Sequence, residues 1–220
     1  MEEIRKCEKF IKACSLFDGI DMTGVNMVYA AYKRGETITD MIDGRQYVGV
    51  IGSGKADVYT LSDELSQPNV STQEAGSVFG ICNVYLKHNM PTKLVCKVGC
   101  EVVFIPKEEF KQLVETSEEF RDRYLSLCNQ KIIYLAQKIE LMGITQSSSR
   151  FACYLLKNRD ERDVVMLHTS KEQFARFLSM SRATLFRVIA EFEEKGYVRT
   201  AGNKFQILQP EIIQKISEGK

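Results

Sequence analysis

The chain has 220 residues, 44% of them hydrophobic and 27% charged, with 30 Lys+Arg against 29 Asp+Glu and a formal net charge of +1. This is globular composition with length for two modest domains, and it excludes disordered and collagen-like chains. Nothing reads as a signal peptide and no apolar run approaches the ~20 residues that span a bilayer, so a cytoplasmic protein with no membrane partner is expected.

Residues 2–17 read as a short charged amphipathic helix with Ile4, Cys7, Phe10, Ile11 and Cys14 on one face. From Val25 to about Ile105 the pattern changes to β-runs at 27–32, 47–51, 56–61 and 94–105, broken by turn residues at 33–36, 42–44, 52–54 and 67–69. Many short strands at such spacing predict a small antiparallel barrel or roll.

Helical patterning follows. Pro106 and Lys107 open a short helix through Val114, and Glu118 starts a long one. Along it Leu125, Cys128, Ile132, Leu135, Ile139 and Met142 recur at alternating spacings of three and four, a heptad seam that wants a partner helix. The reading is a two-fold homodimer; the alternative is packing on the chain's own roll. Gly143 ends the helix, 144–149 is a hinge, and 150–158 begins another domain, with a short strand at 164–167.

The strongest functional signal lies at 170–189. Ser170 with Gln173 forms a capping box, and Ser181 caps a second helix just after the first must end near Leu178. Helix, short turn and freshly capped helix make a helix-turn-helix. On the second helix Leu185, Val188, Ile189 and Phe192 form the core stripe, which leaves Arg182, Ala183, Phe186 and Arg187 on the other side near its start. There a recognition helix meets base edges, and an arginine fork suits guanine O6 and N7. An ordinary surface helix with solvated arginines is the bland alternative. Gly196 is the expected C-cap, and strands at 197–200 and 205–208 about a tight turn form a wing that sets Lys204 or Arg199 against phosphate. Ser170, Lys171, Ser181 and Thr184, at the two helix starts, complete the candidate phosphate contacts with Lys204. From Thr145 to the end there are 13 Lys+Arg against 9 Asp+Glu, so the positive surplus sits with the helix-turn-helix.

Seven cysteines, with no CxxC pair, imply thiols rather than a disulfide framework. Cys96 and Cys100 lie four apart on an apparent strand, which in extended geometry separates them by about 13 Å. No metal site is assigned. No catalytic residue is assigned either, because the only histidines, His88 and His168, come with no nucleophile elbow or phosphate loop.

The order of roll, long helix, hinge and winged helix resembles the family of the cyclic-AMP receptor protein and the fumarate–nitrate regulator. The most specific residues are S-R-A-T-L-F-R at 181–187, close to the family's S-R-E-T-V-x-R, and S-S-R-F-A at 148–152; the glycine-marked turns at 49–56 and 76–80 are similar too. The resemblance implies an α+β chain: an effector-binding double-stranded β-helix of the cyclic-nucleotide-binding kind at 1–115, a dimerisation helix at 116–143 and a winged helix-turn-helix at 144–220. It also implies a dimeric transcription regulator, allosterically controlled, with palindromic double-stranded DNA and RNA polymerase as partners.

The departures bear on the effector. Ile81 stands where cyclic-nucleotide binders carry a ribose-binding glutamate; Met90, Pro91 and Thr92 stand near the phosphate position with no arginine, and Lys87, His88 and Lys93 are not its bidentate fork. On the long helix, Leu135 and Ala136 replace polar residues that meet the adenine. These losses argue against cyclic AMP and for an unknown, more hydrophobic small molecule in a pocket built from Phe79, Gly80, Ile81, Cys82, Thr92 and Leu135. Cys7 and Cys14 are too widely spaced for the family's iron–sulfur ligands, and Cys82 and His88 are off the positions haem would want. A thiol- or metal-responsive regulator of the same fold, with Cys128 facing its symmetry mate, is the alternative, as is a dimeric sensor acting through a protein partner. Ala183 replaces the family's recognition glutamate, which exchanges a cytosine contact for a thymine methyl, while Arg182 and Arg187 keep the guanine readout.

Overall fold

The computed structural model describes residues 2–60, 69–86 and 92–219. It divides into two compact units, Met1–Ile132 and Ile133–Lys220.

The first unit opens with helix α1 (Glu2–Lys12) and a 3-10 turn (Ser15–Phe17). A curled antiparallel sheet follows: β1 (Val28–Tyr32), β2 (Thr37–Ile38), β3 (Met41–Ile42), β4 (Arg45–Thr60), β5 (Asn69–Glu74), β6 (Val78–Phe79) and β7 (Thr92–Pro106). Its spine is the antiparallel pair β4–β7; β1 and β2 add to β7, while β3, β5 and β6 add to β4. Both faces of that spine are buried at 47–51 and at 102–105, which is why these two stretches are near-continuous apolar runs. Tyr47, Ile51, Val102 and Phe104 point into the roll, where they join Phe79, Leu94 and Cys96. The alternate residues Val48, Val50, Val103 and Ile105 point outward beneath Phe10, Ile11 and Phe17, and beneath Phe110 and Phe120 of the helices that follow. These are α2 (Lys107–Thr116) and α3 (Glu118–Met142).

Two expectations need correction here. Residues 52–54 are no turn: β4 runs unbroken through them, with register shifts against β7 on either side. The glycines serve close approach instead. A Cβ at Gly52 would stand 2.1 Å from the Phe10 ring, and one at Gly54, whose φ is +89°, would stand 2.1 Å from the Gly99 carbonyl. The first helix stops at Lys12, and Ile4 faces solvent while Cys7, Phe10, Ile11 and Cys14 are buried. The turn at 42–44 forms as expected, with Asp43 and Gly44 both at positive φ (47° and 76°) as a tight hairpin requires. Gln67 and Pro68 lie outside the described residues.

Helix α3 begins and ends where the pattern placed it, and the unit boundary falls within it. Leu125, Ile132 (62% exposed), Leu135, Ile139 (71%) and Met142 face solvent, and Ile133 joins them. Cys128 differs from the rest of the seam: it is half-buried against the outer core of the first unit.

The second unit holds α4 (Ser147–Asn158), β8 (Val164–Met166), α5 (Lys171–Phe177), α6 (Arg182–Glu194), β9 (Val198–Ala201), β10 (Lys204–Ile207) and α7 (Pro210–Ser217). Its three strands pair antiparallel in the order β8-β10-β9. Phe151, Phe174, Phe192 and Phe205 are fully buried and meet edge-on or tilted at its centre. Helix α7, which starts on Pro210 at a favourable first-turn position, was not anticipated from the sequence.

Candidate nucleic-acid interface and sensory unit

The helix-turn-helix is built by its caps. The Ser170 hydroxyl accepts from the Gln173 amide at 3.2 Å and the Gln173 side chain accepts from the Ser170 N–H at 3.1 Å, closing the capping box. Phe174, Ala175 and Leu178 then bury one face of α5. Ser179, at φ +53°, turns the chain, and the Ser181 hydroxyl accepts from the Thr184 N–H at 3.0 Å to start α6. Leu185, Val188, Ile189 and Phe192 anchor α6 in the core. That choice of face forces Arg182, Ala183, Phe186 and Arg187 outward, and all four are exposed. The Arg182 guanidinium lies 5.4 Å from the centroid of the Phe186 ring, a one-turn cation–π contact that holds both side chains on the open face.

The candidate phosphate contacts separate into two groups. Ser170, Ser181 and Lys204 are exposed, and Thr184 is half-buried with its hydroxyl 2.8 Å from that of Ser181. Lys171 turns inward. Its ammonium sits 3.7 Å over the centre of the Phe205 ring and is shielded from solvent without a hydrogen-bond partner, and burial pushes its pKa down. The apolar β10 face and the aromatic ring take the lysine stem inside, so Lys171 braces the wing rather than presenting a charge.

Arg150 has a role that its place in S-S-R-F-A did not disclose. From α4 it donates to the carbonyls of Leu178, Ser179 and Thr145, tying the hinge to the turn between α5 and α6. Only the folded backbone reveals this, because all three acceptors are main-chain atoms.

In the first unit, the residues expected to line an effector pocket mostly serve packing. The Phe79 ring stands edge-on to Phe104 at 6.0 Å and fills the space left by Gly49, where a Cβ would lie 2.0 Å from it. Gly80, at φ +75°, passes the Tyr47 carbonyl, and a Cβ there would stand 2.9 Å from it. Ile81 is buried, and its carbonyl accepts from the Tyr124 hydroxyl at 3.1 Å. Cys82 is exposed, and Thr92 is half-buried opposite Thr60 on β4. Leu135 belongs to the second unit. Lys87, His88, Met90 and Pro91 lie outside the described residues.

The cysteine geometry departs from the extended-strand expectation. One extra residue of β7 is inserted between the partners of Lys55 and Ala56 and another between those of Ser53 and Lys55, which shortens the path from Cys96 to Cys100. The Cys100 thiol donates to the Val98 carbonyl at 3.3 Å and is the neighbour that acts on Cys96. Burial and that neighbour push the Cys96 thiol up to about 12. Burial also raises Cys7, Cys14 and Cys128, which disfavours the reactive thiolate at each. Among the described residues no three His, Cys, Asp or Glu side chains converge as a metal site would require.

Comparison with known proteins gives two matches along the chain. Residues 30–117 match the cyclic nucleotide-binding domain and residues 149–216 match the Crp-like helix-turn-helix domain, together more than half of the chain. The cyclic AMP receptor protein of Thermus thermophilus is 18% identical over 95% of this chain and 99% of its own. Among solved structures, a CooA mutant from Carboxydothermus hydrogenoformans matches at a TM-score of 0.60 and 16% identity, covering 87% of this chain and 88% of that one. FixK2 from Bradyrhizobium japonicum matches at 0.55 and 13%, covering 87% and 97%. At such identities the structures speak to the fold alone.

Proposed function

The chain belongs to the cyclic-AMP receptor protein and fumarate–nitrate regulator family of bacterial transcription regulators, and on that premise we propose that it acts as a homodimer reading a palindromic operator under the control of a small molecule other than cyclic AMP. The observation that carries the reading is the exposed start of α6. Arg182, Ala183, Phe186 and Arg187 stand free of the core on a doubly capped helix-turn-helix, and Arg182 and Arg187 offer forks for guanine. Ser170, Ser181, Thr184 and Lys204 flank them as phosphate contacts.

Residues 1–115 act as the sensory domain, 116–143 as the dimerisation helix and 144–220 as the DNA-binding domain. The exposed stripe Leu125, Ile132, Leu135, Ile139 and Met142 supports pairing of two long helices, since so regular an apolar face in water otherwise stays uncovered. A two-fold dimer presents two recognition helices to half-sites about 34 Å apart. Ile81, buried where a cyclic-nucleotide site needs a carboxylate, supports a different effector. The chain works in the cytoplasm, where RNA polymerase is its partner in regulation; among the described residues no helix is long and apolar enough to cross a membrane.

Selection of bound duplexes from a random library tests the reading. Enrichment of an inverted repeat with half-sites one helical turn apart is expected, with guanine at a fixed place in each half. Recovery of no consensus, or of a single asymmetric site, overturns it. Cyclic AMP should leave both the thermal midpoint and operator affinity unchanged.

A further inference from the structure

An open cleft of about 710 Å³ lies within the first unit, bounded by the 3-10 turn at Ser15–Phe17, the β5–β6 turn and one side of α3. Its size is that of a small-molecule site, for which about 300–1,000 Å³ is usual. Its polar lining comes from Gln73, Ser77, Arg123, Ser126, Gln130 and Lys131, and no carboxylate lines it among the described residues. Two cations thus face a cleft with no acidic group of its own.

The two cations differ. The Arg123 guanidinium is already engaged, donating to the Asp18 carbonyl and pairing with Glu119 one turn away. Lys131 has neither an ion pair nor a hydrogen bond among the described residues. The titratable groups that act on it are the thiols of Cys82 and Cys128, and burial pulls its pKa below the ordinary lysine value. A largely desolvated ammonium with no counter-charge is costly, and the cost is relieved when an anion supplies the missing charge. Leu16 and Leu127, on the same walls, offer apolar surface beside it.

The cleft also sits apart from the dimer seam. At about 100° per residue, Ser126 and Gln130 lie about 100–160° round α3 from Leu125 and Ile132, and Lys131 about 100–120°.

We propose that this cleft binds a small organic acid, its carboxylate or phosphate head on the Lys131 ammonium, its neutral end on Leu16 and Leu127, with the amides and hydroxyls of Gln73, Ser77 and Gln130 completing the head-group contacts. The proposal rests on the reading of the first unit as sensory, and it moves the effector from the Phe79 neighbourhood, which packing has filled, to the outer side of the roll beside α3. An anion here bridges the roll and the long helix, and so acts on the element that carries the dimer seam.

The test uses the full chain without DNA, so its failure is distinguishable from failure of the operator selection. Thermal midpoints are measured at fixed ionic strength with butyrate, butyl phosphate and the neutral isostere butyramide. The expected result is a concentration-dependent rise with at least one acid and none with butyramide; the acid that acts identifies the head group. Lys131→Gln should weaken that response about tenfold or more. Lys131→Arg, which keeps the charge, should retain it, as should Lys33→Gln at a distant exposed lysine. Removing an unpaired buried charge should leave Lys131→Gln at least as stable as the parent without ligand, so loss of the response is not loss of the fold. Equal midpoints for the acids and the amide, or an undiminished response in Lys131→Gln, overturn the proposal.

Discussion

Arg150 Nη1 donates to the carbonyl oxygen of Ser179 at 2.6 Å, and Ser179 is the residue that reverses the chain at φ +53° between the two helices of the helix-turn-helix. The same nitrogen reaches the Leu178 carbonyl at 2.8 Å, and Nη2 reaches Thr145 at 3.3 Å. One guanidinium therefore satisfies carbonyls at the C-terminal end of α5 and fixes where α6 starts. Charge-assisted bonds of this kind contribute about 1.5–3 kcal/mol, and removing the donor leaves the carbonyls unpaired. Arg150→Ala should cost about 2–3 kcal/mol in urea unfolding of the second unit and should weaken operator binding. Arg150→Lys should recover only part of both, because a single ammonium can stand in for Nη1 at Leu178 and Ser179 but not also for Nη2 at Thr145. A loss within the scatter of surface substitutions would mean the clamp is dispensable.

Readout of bases and grip on phosphates should come apart on mutation. Arg187→Ala should cost about 1–3 kcal/mol of specific binding and relax the sequence preference at one operator position. Lys204→Ala should weaken all sequences alike and reduce the slope of log affinity against log salt by about one. Lys171→Ala should leave the salt slope unchanged and lower the unfolding midpoint, since its ammonium lies over the Phe205 ring and not at the surface. Fluorescence anisotropy at several salt concentrations checks all three, and a reduced salt slope for Lys171→Ala would count against its inward role.

A pH dependence follows from Glu101. Its carboxylate accepts from Lys6 at 2.7 Å, from the Tyr29 hydroxyl at 2.5 Å and from the Ser53 hydroxyl at 2.8 Å, tying α1 to β1 and the β4–β7 spine. These donors hold its pKa at about 2, against 4.5 for an ordinary glutamate. A carboxylate depressed in the folded state stabilises fully above its unfolded pKa and loses that contribution as pH falls toward the folded value. The gain should therefore be complete above about pH 4.5 and fade between there and pH 2. Lys6 shifts upward and stays charged throughout. Glu101→Gln should lower the thermal midpoint at pH 7, and the gap from the parent should close as pH falls below 4.5. A gap independent of pH would assign the loss to packing.

The sequence disclosed most where one residue sufficed to declare a local geometry. Ser170, Ser181 and Gly143 mark helix ends by chemistry that acts within four residues, and all three helix boundaries lie where expected. It misled where the reason for a residue is tertiary. Gly52 and Gly54 read as a turn because turns and close approaches use the same residue, and only the Phe10 ring and the Gly99 carbonyl tell them apart. Cys96 and Cys100 read as distant because the bulges between them leave no mark except Gly99. The inward turn of Lys171, the backbone acceptors of Arg150 and the cleft beside Lys131 depend on which elements meet, and periodicity carries none of that.

The seam on α3 gives the sharpest separation between fold and assembly. Ile132 and Ile139 are 62% and 71% exposed, so neither contributes much to the core of its own unit. A charge at either should then leave the chain folded and act only on association. Ile139→Glu, alone or with Ile132→Glu, should convert a dimer to a monomer in analytical ultracentrifugation with an unchanged far-ultraviolet circular dichroism spectrum. Operator affinity should collapse toward that of a single half-site, because two linked sites bind with an effective concentration that a monomer lacks. Cys128→Ser should behave differently. Its thiol is packed against the outer core of the first unit, so the substitution should lower stability while leaving the dimer in place. Were Cys128→Ser to break the dimer and Ile139→Glu to leave it intact, the two helices would have to meet through another face of α3, and the half-site spacing argued from the seam would fall with it.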